Sequence, residues 1–214
     1  MKFWNDLTSG SQFPTANDWF ESLADTLMND MILHVGGSRF RITECEFYYY
    51  DEDHPDVYVH QSDAQMSAGQ LHLNKAGGFD ITFGNKNYPA WGGILIRGMR
   101  NLESNEYHSR VTDIVTIILR ALDNIVLNKG CVWFSAANPA NFEPESPVSS
   151  TRVGLRKKEE DLDDYISKPY RFLVELNPNH KFKEKEKVVK ELFDSNAIDK
   201  VKMVEILGYQ LKGI

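Results

Sequence analysis

The stretch Arg41-Ile42-Thr43-Glu44-Cys45-Glu46-Phe47-Tyr48 predicts a strand that carries two carboxylates and ends in aromatic residues. Residues two positions apart on a strand point to the same face, so Glu44 and Glu46 project side by side. Two carboxylates on the inner face of a sheet are costly unless other groups bind or use them. We therefore expect the chemistry of this protein to lie on this strand.

The composition is typical of a soluble globular protein. Of the 214 residues, 42% are hydrophobic and 26% are charged, enough for one large domain or two small ones. No apolar run approaches the ~18 residues of a membrane span, and residues 1–6 lack the features of a signal peptide. Two cysteines, Cys45 and Cys131, predict reduced thiols in a cytoplasmic protein. The net charge of -7 argues against nucleic-acid binding over the whole surface but allows a local basic patch.

Hydrophobic periodicity predicts the main elements. Apolar residues at helical spacing predict one helix over residues 15–31, capped by Thr15 or Asn17, and another over residues 111–128 that ends at Gly130. Short apolar runs between glycines favour an antiparallel sheet, with strands at 41–48, 57–60, 71–74, 79–83, 93–99, 131–135 and 170–176. Residues 136–150 are predicted as a loop, and residues 181–208 as a charged helix broken at 194–196.

The opening strand resembles the "R-I-x-E-T-E-A-Y" strand of the alkyladenine DNA glycosylase family. Further segments are similar to that family's motifs and follow in its order, at residues 23–33, 93–99, 151–155 (Thr-Arg-Val-Gly-Leu) and 168–172 (Lys-Pro-Tyr-Arg-Phe). The resemblance implies a single α+β domain whose curved, mainly antiparallel sheet is partly open, like an incomplete barrel, and flanked by helices. Its core would cover residues 15–176, and residues 177–214 would form a helical extension packed on that core.

The resemblance also implies a reaction. The family hydrolyses the N-glycosidic bond of a damaged base flipped out of DNA, and Glu46 matches the carboxylate that activates water. A carboxylate in this position can take a proton from water and stabilise the positive charge that develops on the sugar. No lysine nucleophile, metal or cofactor is implied. We therefore expect a monofunctional base-excision enzyme that acts as a monomer, with DNA as its partner.

Four residues are assigned to the base pocket by the resemblance. Tyr48 matches the aromatic residue that stacks on the flipped base, and His60 matches the pocket histidine. The family's "Y-V-Y-x-x-Y-G" motif aligns with residues 72–78, which adds His72 and Asn74 to the pocket. Asn74 stands where the family has a second stacking tyrosine, and Gly77 stands where it has the tyrosine that wedges into the duplex. Losing a stacked aromatic contact to a base costs about 1–3 kcal/mol.

Several carboxylates and arginines have more than one interpretation. Arg97 and Arg171 match strand arginines of the family and are expected to support the pocket or contact phosphate. Glu46 can instead be an ordinary surface or ion-paired carboxylate, with Arg41 or Arg97 as its partner, and Glu44 is expected to be a support. Asp80 lies in an apolar strand, where it is either a second active-site carboxylate or the anchor of a turn.

A metal site and two other functions are alternatives. His60 and His72 with Glu46 and Asp80 could form a metal site, but no compact ligand motif occurs, so no metal is expected. The same fold could serve as a non-catalytic nucleic-acid or nucleotide-binding module, or as a hydrolase of a small N-glycoside. A basic groove leading to Glu46 would favour DNA, whereas a closed acidic pocket would favour a small substrate.

Overall fold

The computed structural model describes residues 2–122, 131–138 and 140–211. Its helices are α1 (Lys2–Asp6), α2 (Ala16–Asn29), α3 (Val111–Leu122), α4 (Lys185–Asp194) and α5 (Lys200–Leu207). Its strands are β1 (Met31–Val35), β2 (Ser38–Tyr50), β3 (Leu71–Leu73), β4 (Phe79–Thr82), β5 (Trp91–Asn101), β6 (Tyr107–His108), β7 (Val132–Ala136), β8 (Val148–Ser150) and β9 (Arg171–Leu173). The molecule is thus a single α+β domain, as the sequence predicts.

The sheet is antiparallel and curls into a half-barrel. Strands pair in the order β3-β4-β5-β2-β1-β7, β9 joins the other edge of β2, and β8 pairs with β9. The long strand β2 pairs with β5 from Phe40 to Tyr50, so the predicted opening strand forms the centre of the sheet. The predicted sheet class is therefore confirmed.

Helix α2 covers the apolar face of this sheet. It begins after Thr15, whose hydroxyl accepts a hydrogen bond from the Asp18 amide at 3.2 Å. Phe20 is fully buried and stacks on Phe47 of β2, with ring centroids 4.9 Å apart. The helix ends at Asn29, two residues before the predicted end, because the buried residues Met31–Val35 pair with both β2 and β7.

The opposite face of the sheet carries polar side chains in one row. Residues paired directly across an antiparallel ladder point to the same face. Glu46 pairs with Leu95 of β5, Leu95 pairs with Asp80 of β4, and Asp80 pairs with His72 of β3. On its other side, Glu46 pairs with Arg171 of β9. The fold thus brings two carboxylates, a histidine and an arginine from distant parts of the chain to one face.

A bulge interrupts the β2–β5 ladder beside Glu44. The register shifts on both sides of the Glu44–Gly98 pair, which re-aims the side chains of Thr43 and Arg97. A Cβ atom on Gly98 would lie 2.9 Å from the Cβ atom of Glu44, so a side chain there would collide with the bulge. Glycine at position 98 therefore permits the close approach that brings Arg97 to the two glutamates.

The structure corrects two local predictions. Residues 57–60 form no strand, because the Asp56 carboxylate accepts a hydrogen bond from the Tyr58 amide at 3.0 Å and turns the backbone. Residues 136–150, predicted as a loop, contain the short strand β8, which pairs with β9. Gly130 and the predicted end of the second helix lie outside the described residues.

The C-terminal helices α4 and α5 pack on the sheet domain. The predicted break at residues 194–196 is confirmed, since α4 ends at Asp194 and α5 begins at Lys200. Val188 of α4 is buried with Leu173 of β9 and Phe182, and a second cluster joins the two helices. Apolar contacts thus join the C-terminal helices to the sheet domain.

Candidate functional site

A cavity of about 500 Å³ opens on the polar face of the sheet. We call it the polar-face cavity. Its polar and aromatic lining includes Tyr48, Tyr58, His60, Asn74, Asp80 and Arg97, and residues 153–158 form one side. Cavities of this size suit a small organic ligand or a single nucleoside.

Glu46 lies directly behind the wall of this cavity and is fully buried. Its Oε2 accepts hydrogen bonds from the Tyr48 hydroxyl at 2.8 Å and from Arg97 Nη1 at 3.3 Å. Its Oε1 accepts a hydrogen bond from the Val153 amide at 2.7 Å. All three donor residues line the polar-face cavity. Each of them therefore contacts the Glu46 carboxylate directly and also borders the cavity. Arg97 is thus an ion-pair partner of Glu46, as the alternative interpretation of this carboxylate expects, whereas Arg41 pairs with Glu175 at 2.7 Å. The Glu46–Arg97 pair lies at the cavity wall and not on the outer face of the sheet.

Glu44 belongs to a buried ion-pair cluster. Its Oε1 accepts from Arg97 Nε at 3.1 Å and from Arg171 Nε at 2.8 Å. Burial raises the pKa of Glu44, although the charges of Arg171 and Arg97 lower it. Arg171 is fully buried and also donates to the Lys183 carbonyl, which places it on the supporting side of Glu44 rather than at the cavity. Arg97 is the arginine that reaches the cavity, with 15% of its side chain exposed.

Tyr48 is held as a hydrogen-bond donor to Glu46. Burial and the charge of Glu46 raise the pKa of Tyr48 well above its usual value, so the phenol stays protonated. The guanidinium of Arg152 lies 4.7 Å from the centre of the Tyr48 ring. Arg152 donates two hydrogen bonds to Asp56, from Nη1 to Oδ2 at 2.5 Å and from Nη2 to Oδ1 at 3.3 Å. Both side chains are fully buried. One wall of the cavity is therefore rigid and aromatic.

Asp80 is a carboxyl group of the cavity lining itself. Its Oδ1 accepts from the Asn74 amide at 2.8 Å, and its Oδ2 accepts from the Gln65 amide at 3.5 Å. Burial raises the pKa of Asp80 to about 7, although the two amides lower it. The Asn74 oxygen also accepts from the backbone amides of Ala76 and Gly78, so Asn74 shapes the hairpin between β3 and β4.

The charge around the polar-face cavity is opposite to that of the whole chain. Arg156, Lys157 and Lys158 are exposed along one side, and we call them the basic rim. Arg97 also lines the cavity, but its charge is paired with Glu44 and Glu46, and Asp80 is the carboxyl group of the lining. A protein of net charge -7 thus presents a local positive patch at its cavity.

The two predicted pocket histidines occupy different positions. His60 is exposed at the mouth of the cavity, and partial burial and the charges of Lys75 and Lys158 lower its pKa. His72 is outside the lining, and its Nε2 lies 3.4 Å from the Ser62 hydroxyl. Within residues 2–122, 131–138 and 140–211, no three histidine, cysteine or acidic side chains are grouped so as to hold a metal ion.

The sequence patterns did not single out several residues of the site. Gln65 carries no recognisable signal, because a short 3-10 helix brings it to Asp80. The basic rim is recognisable in the sequence, because Arg156-Lys157-Lys158 is a run of three basic residues that directly follows the Thr-Arg-Val-Gly-Leu segment of the resemblance. Arg152 belongs to that segment, but its pairing with Asp56 shows only in the folded chain.

Comparison with known proteins yields no named function. No protein-family model matches the sequence. The chain is 28% identical over 193 residues to an uncharacterized protein of Acanthamoeba polyphaga mimivirus, in a match that covers 73% of this chain and 86% of the viral protein. Separately, none of the described helices is both long enough and apolar enough to cross a membrane.

Proposed function

We propose that this protein is a divergent monofunctional DNA glycosylase that hydrolyses the N-glycosidic bond of a flipped damaged base. Its curled antiparallel half-barrel would be a variant of the alkyladenine DNA glycosylase fold. The observation that carries the proposal is the position of Glu46, which is bound by three residues that all line one basic-rimmed cavity. A buried carboxylate beside a ligand-sized cavity is a typical arrangement for acid–base catalysis.

In this proposal Glu46 takes the proton of a water held at the cavity wall. The water attacks C1′ of the sugar while the bond to the base breaks. The positive charge that builds up on the sugar is stabilised by the negative charge of Glu46. Tyr48, Arg97 and Val153 fix the orientation of the carboxylate through their hydrogen bonds. The same residues form the wall against which the sugar would rest.

Aromatic rings and amides supply base recognition in the proposal. Tyr48 and Tyr58 line the cavity, and a base would stack on the face of the Tyr48 ring that Arg152 does not cover. The hairpin of residues 74–78 contributes Asn74, whose side chain is committed to Asp80 and to its own loop. The base would therefore stack on an aromatic ring on one side only. Hydrogen bonds would replace the contact that the family makes with its second stacking tyrosine.

The basic rim favours DNA over the second candidate, a hydrolase of a small N-glycoside. Backbone phosphates on either side of a flipped nucleotide need cations near the mouth of the pocket. Arg156, Lys157 and Lys158 are exposed at that place. The second candidate is favoured by the net charge of -7 and by glycine at the wedge position, Gly77.

Neutralising the basic rim separates these candidates. The triple change Arg156→Gln, Lys157→Gln and Lys158→Gln should weaken binding to an oligonucleotide. The logarithm of the binding constant decreases linearly with the logarithm of the salt concentration. The steepness of this decrease should be smaller by about 0.7–0.9 for each phosphate that the variant no longer neutralises. The measurement is fluorescence anisotropy at several salt concentrations. The matched control changes Lys187, Lys190 and Lys202, which are about half exposed on the C-terminal helices, to glutamine. If both triple variants weaken oligonucleotide binding equally, the basic rim is not part of the proposed DNA interface.

The function itself is tested with a panel of damaged DNA. Duplex and single-stranded oligonucleotides that carry alkylated, deaminated or oxidised bases are incubated with the protein, and abasic sites are detected by alkaline cleavage. We expect release from at least one substrate, with Glu46→Gln as the matched blank. If no oligonucleotide is processed but a free nucleoside is hydrolysed, the small N-glycoside candidate replaces the proposal. If neither is processed, both candidates fail.

A further inference from the structure

We propose that Asp80 is the proton donor to the leaving base, so that the polar-face cavity uses two carboxyl groups in different roles. The inference rests on the proposed function, since it names a second catalytic residue for that reaction. A neutral purine is a poor leaving group unless a ring nitrogen is protonated as the bond to C1′ breaks. A donor must therefore lie on the base side of the cavity, away from the group that activates water.

The sheet holds the two carboxyl groups at a separation that fits this division. Glu46 and Asp80 both pair with Leu95, from β2 and β4 on its two sides. Two strand spacings place their Cα atoms about 10 Å apart. Both side chains leave the same face, and Asp80 lines the cavity directly. A nucleoside in the cavity can place its base at Asp80 and its sugar against the wall behind which Glu46 lies.

The surroundings of the two groups differ as their roles require. Glu46 contacts the cation of Arg97, whereas within the described part of the chain Asp80 forms no ion pair. Its partners are the neutral amides of Asn74 and Gln65, and burial raises its pKa to about 7. A carboxyl group with this pKa is substantially protonated at neutral pH and can donate.

The backbone of β5 leaves room for this arrangement. Position 93 is a glycine that pairs with Thr82 of β4 and with Tyr48 of β2. A Cβ atom there would lie 2.9 Å from the Gln65 amide nitrogen and 3.1 Å from Asp80 Oδ2. Any side chain at this position would displace the group that we assign as the donor.

The proposed step balances without any co-reactant other than water. The bond between C1′ and the base nitrogen breaks, and its electron pair goes to the base. The Asp80 carboxyl proton moves to a ring nitrogen of the base, while water adds to C1′ and loses a proton to Glu46. The products are a neutral free base and an abasic sugar. Asp80 then regains a proton, and Glu46 releases one, through solvent.

The test compares a neutral purine lesion with its N7-methylated form in the same oligonucleotide. The methylated base already carries a positive charge and leaves without protonation. For the neutral purine that wild type releases fastest, Asp80→Asn should slow release by about 10²–10⁴-fold. For the methylated base the decrease should be far smaller. Equal decreases on both bases, or no decrease on either, would refute the role of Asp80 and leave the proposed function standing. If wild type releases neither, the proposed function fails and this inference falls with it.

The pH dependence of wild type provides a readout that needs no variant. A donor must be protonated, so release of the neutral base should fall as pH rises above about 7, by tenfold per pH unit. The ratio of neutral to methylated release should show the same fall, and Asp80→Asn should abolish it. Of the described residues, the other charged or titratable groups that line the cavity are Tyr48, Tyr58, His60, Arg97 and the basic rim, while His72 pairs with Asp80 across the β3–β4 ladder and Glu46 lies behind the wall. His72→Gln is the matched control, and it should keep the pH dependence; a flat wild-type ratio would contradict the inference.

Discussion

Glu46→Gln should slow base release by about 10²–10⁴-fold, the range that a general base contributes in enzymes. Glutamine keeps the size of the side chain, but its amide cannot take a proton from water or stabilise a positive charge on the sugar. The carboxylate also accepts three hydrogen bonds, and the amide nitrogen of glutamine would face one or two of the same donors. The measurement is single-turnover release from the best substrate of the panel.

Glu44→Gln is the matched control for this substitution. Glu44 lies two residues away on the same strand, is almost equally buried and contacts the same Arg97. It contacts neither Tyr48 nor Val153, so its substitution should lower stability more than chemistry. Urea denaturation of both variants separates the two effects. If Glu46→Gln stays folded and releases bases at the rate of wild type, Glu46 is not the base and the proposal loses its central residue.

Arg152→Met should destabilise the fold by about 3–5 kcal/mol, which is a large fraction of the stability of an ordinary domain. The substitution leaves the Asp56 carboxylate buried without its cation. It also removes the hydrogen bonds from Arg152 to the carbonyl groups of Phe47 and Tyr165, at 3.1 Å and 2.9 Å. The free energy of unfolding from urea titrations gives the measurement.

Two further variants identify the cause of that destabilisation. Arg156→Met changes an exposed arginine four residues away and should cost no more than about 0.5 kcal/mol. The double variant Asp56→Asn/Arg152→Met removes both charges and should be more stable than Arg152→Met alone, since no unpaired buried charge remains. A destabilisation below about 1 kcal/mol in Arg152→Met would show that the buried pair does not support this wall of the cavity.

The local elements of the fold could be predicted because their signals are local. The apolar stripe and the Thr15 cap predict α2 to within two residues at its end, and the alternating pattern around Glu46 predicts β2. The end of α2 could not be predicted, since Met31–Val35 becomes a strand only through its pairing with β2 and β7. Residues 57–60 form a turn for a similar reason, since Asp56 is fixed by an arginine 96 residues away.

The candidate site divides in the same way. Glu46, Tyr48 and Arg97 are singled out by the sequence, and the sheet brings all three into contact. Asp80 has two interpretations in the sequence, and both stay predictions, since Asp80 lines the cavity and also accepts a hydrogen bond from Asn74 of the β3–β4 hairpin. The roles of Gln65 and Val153 could not be predicted, because their positions depend on loops far from β2 in the chain. The basic rim is visible as a run of three basic residues, but only the fold places it beside the cavity.

The sequence by itself determined which residues alternate along β2 and therefore that Glu44, Glu46 and Tyr48 share one face. That follows from the two-residue period of a strand, which the bulge leaves intact from Glu44 to Glu46, where β2 pairs regularly with β9. Only the tertiary structure decided that Asp80 lines the cavity and that Glu46 lies behind its wall. The contact from Val153 to Glu46 spans 107 residues, and the ladder that aligns Asp80 with Leu95 and Glu46 joins three strands. Such contacts depend on strand pairing and loop closure, and these form only when the whole sheet has folded.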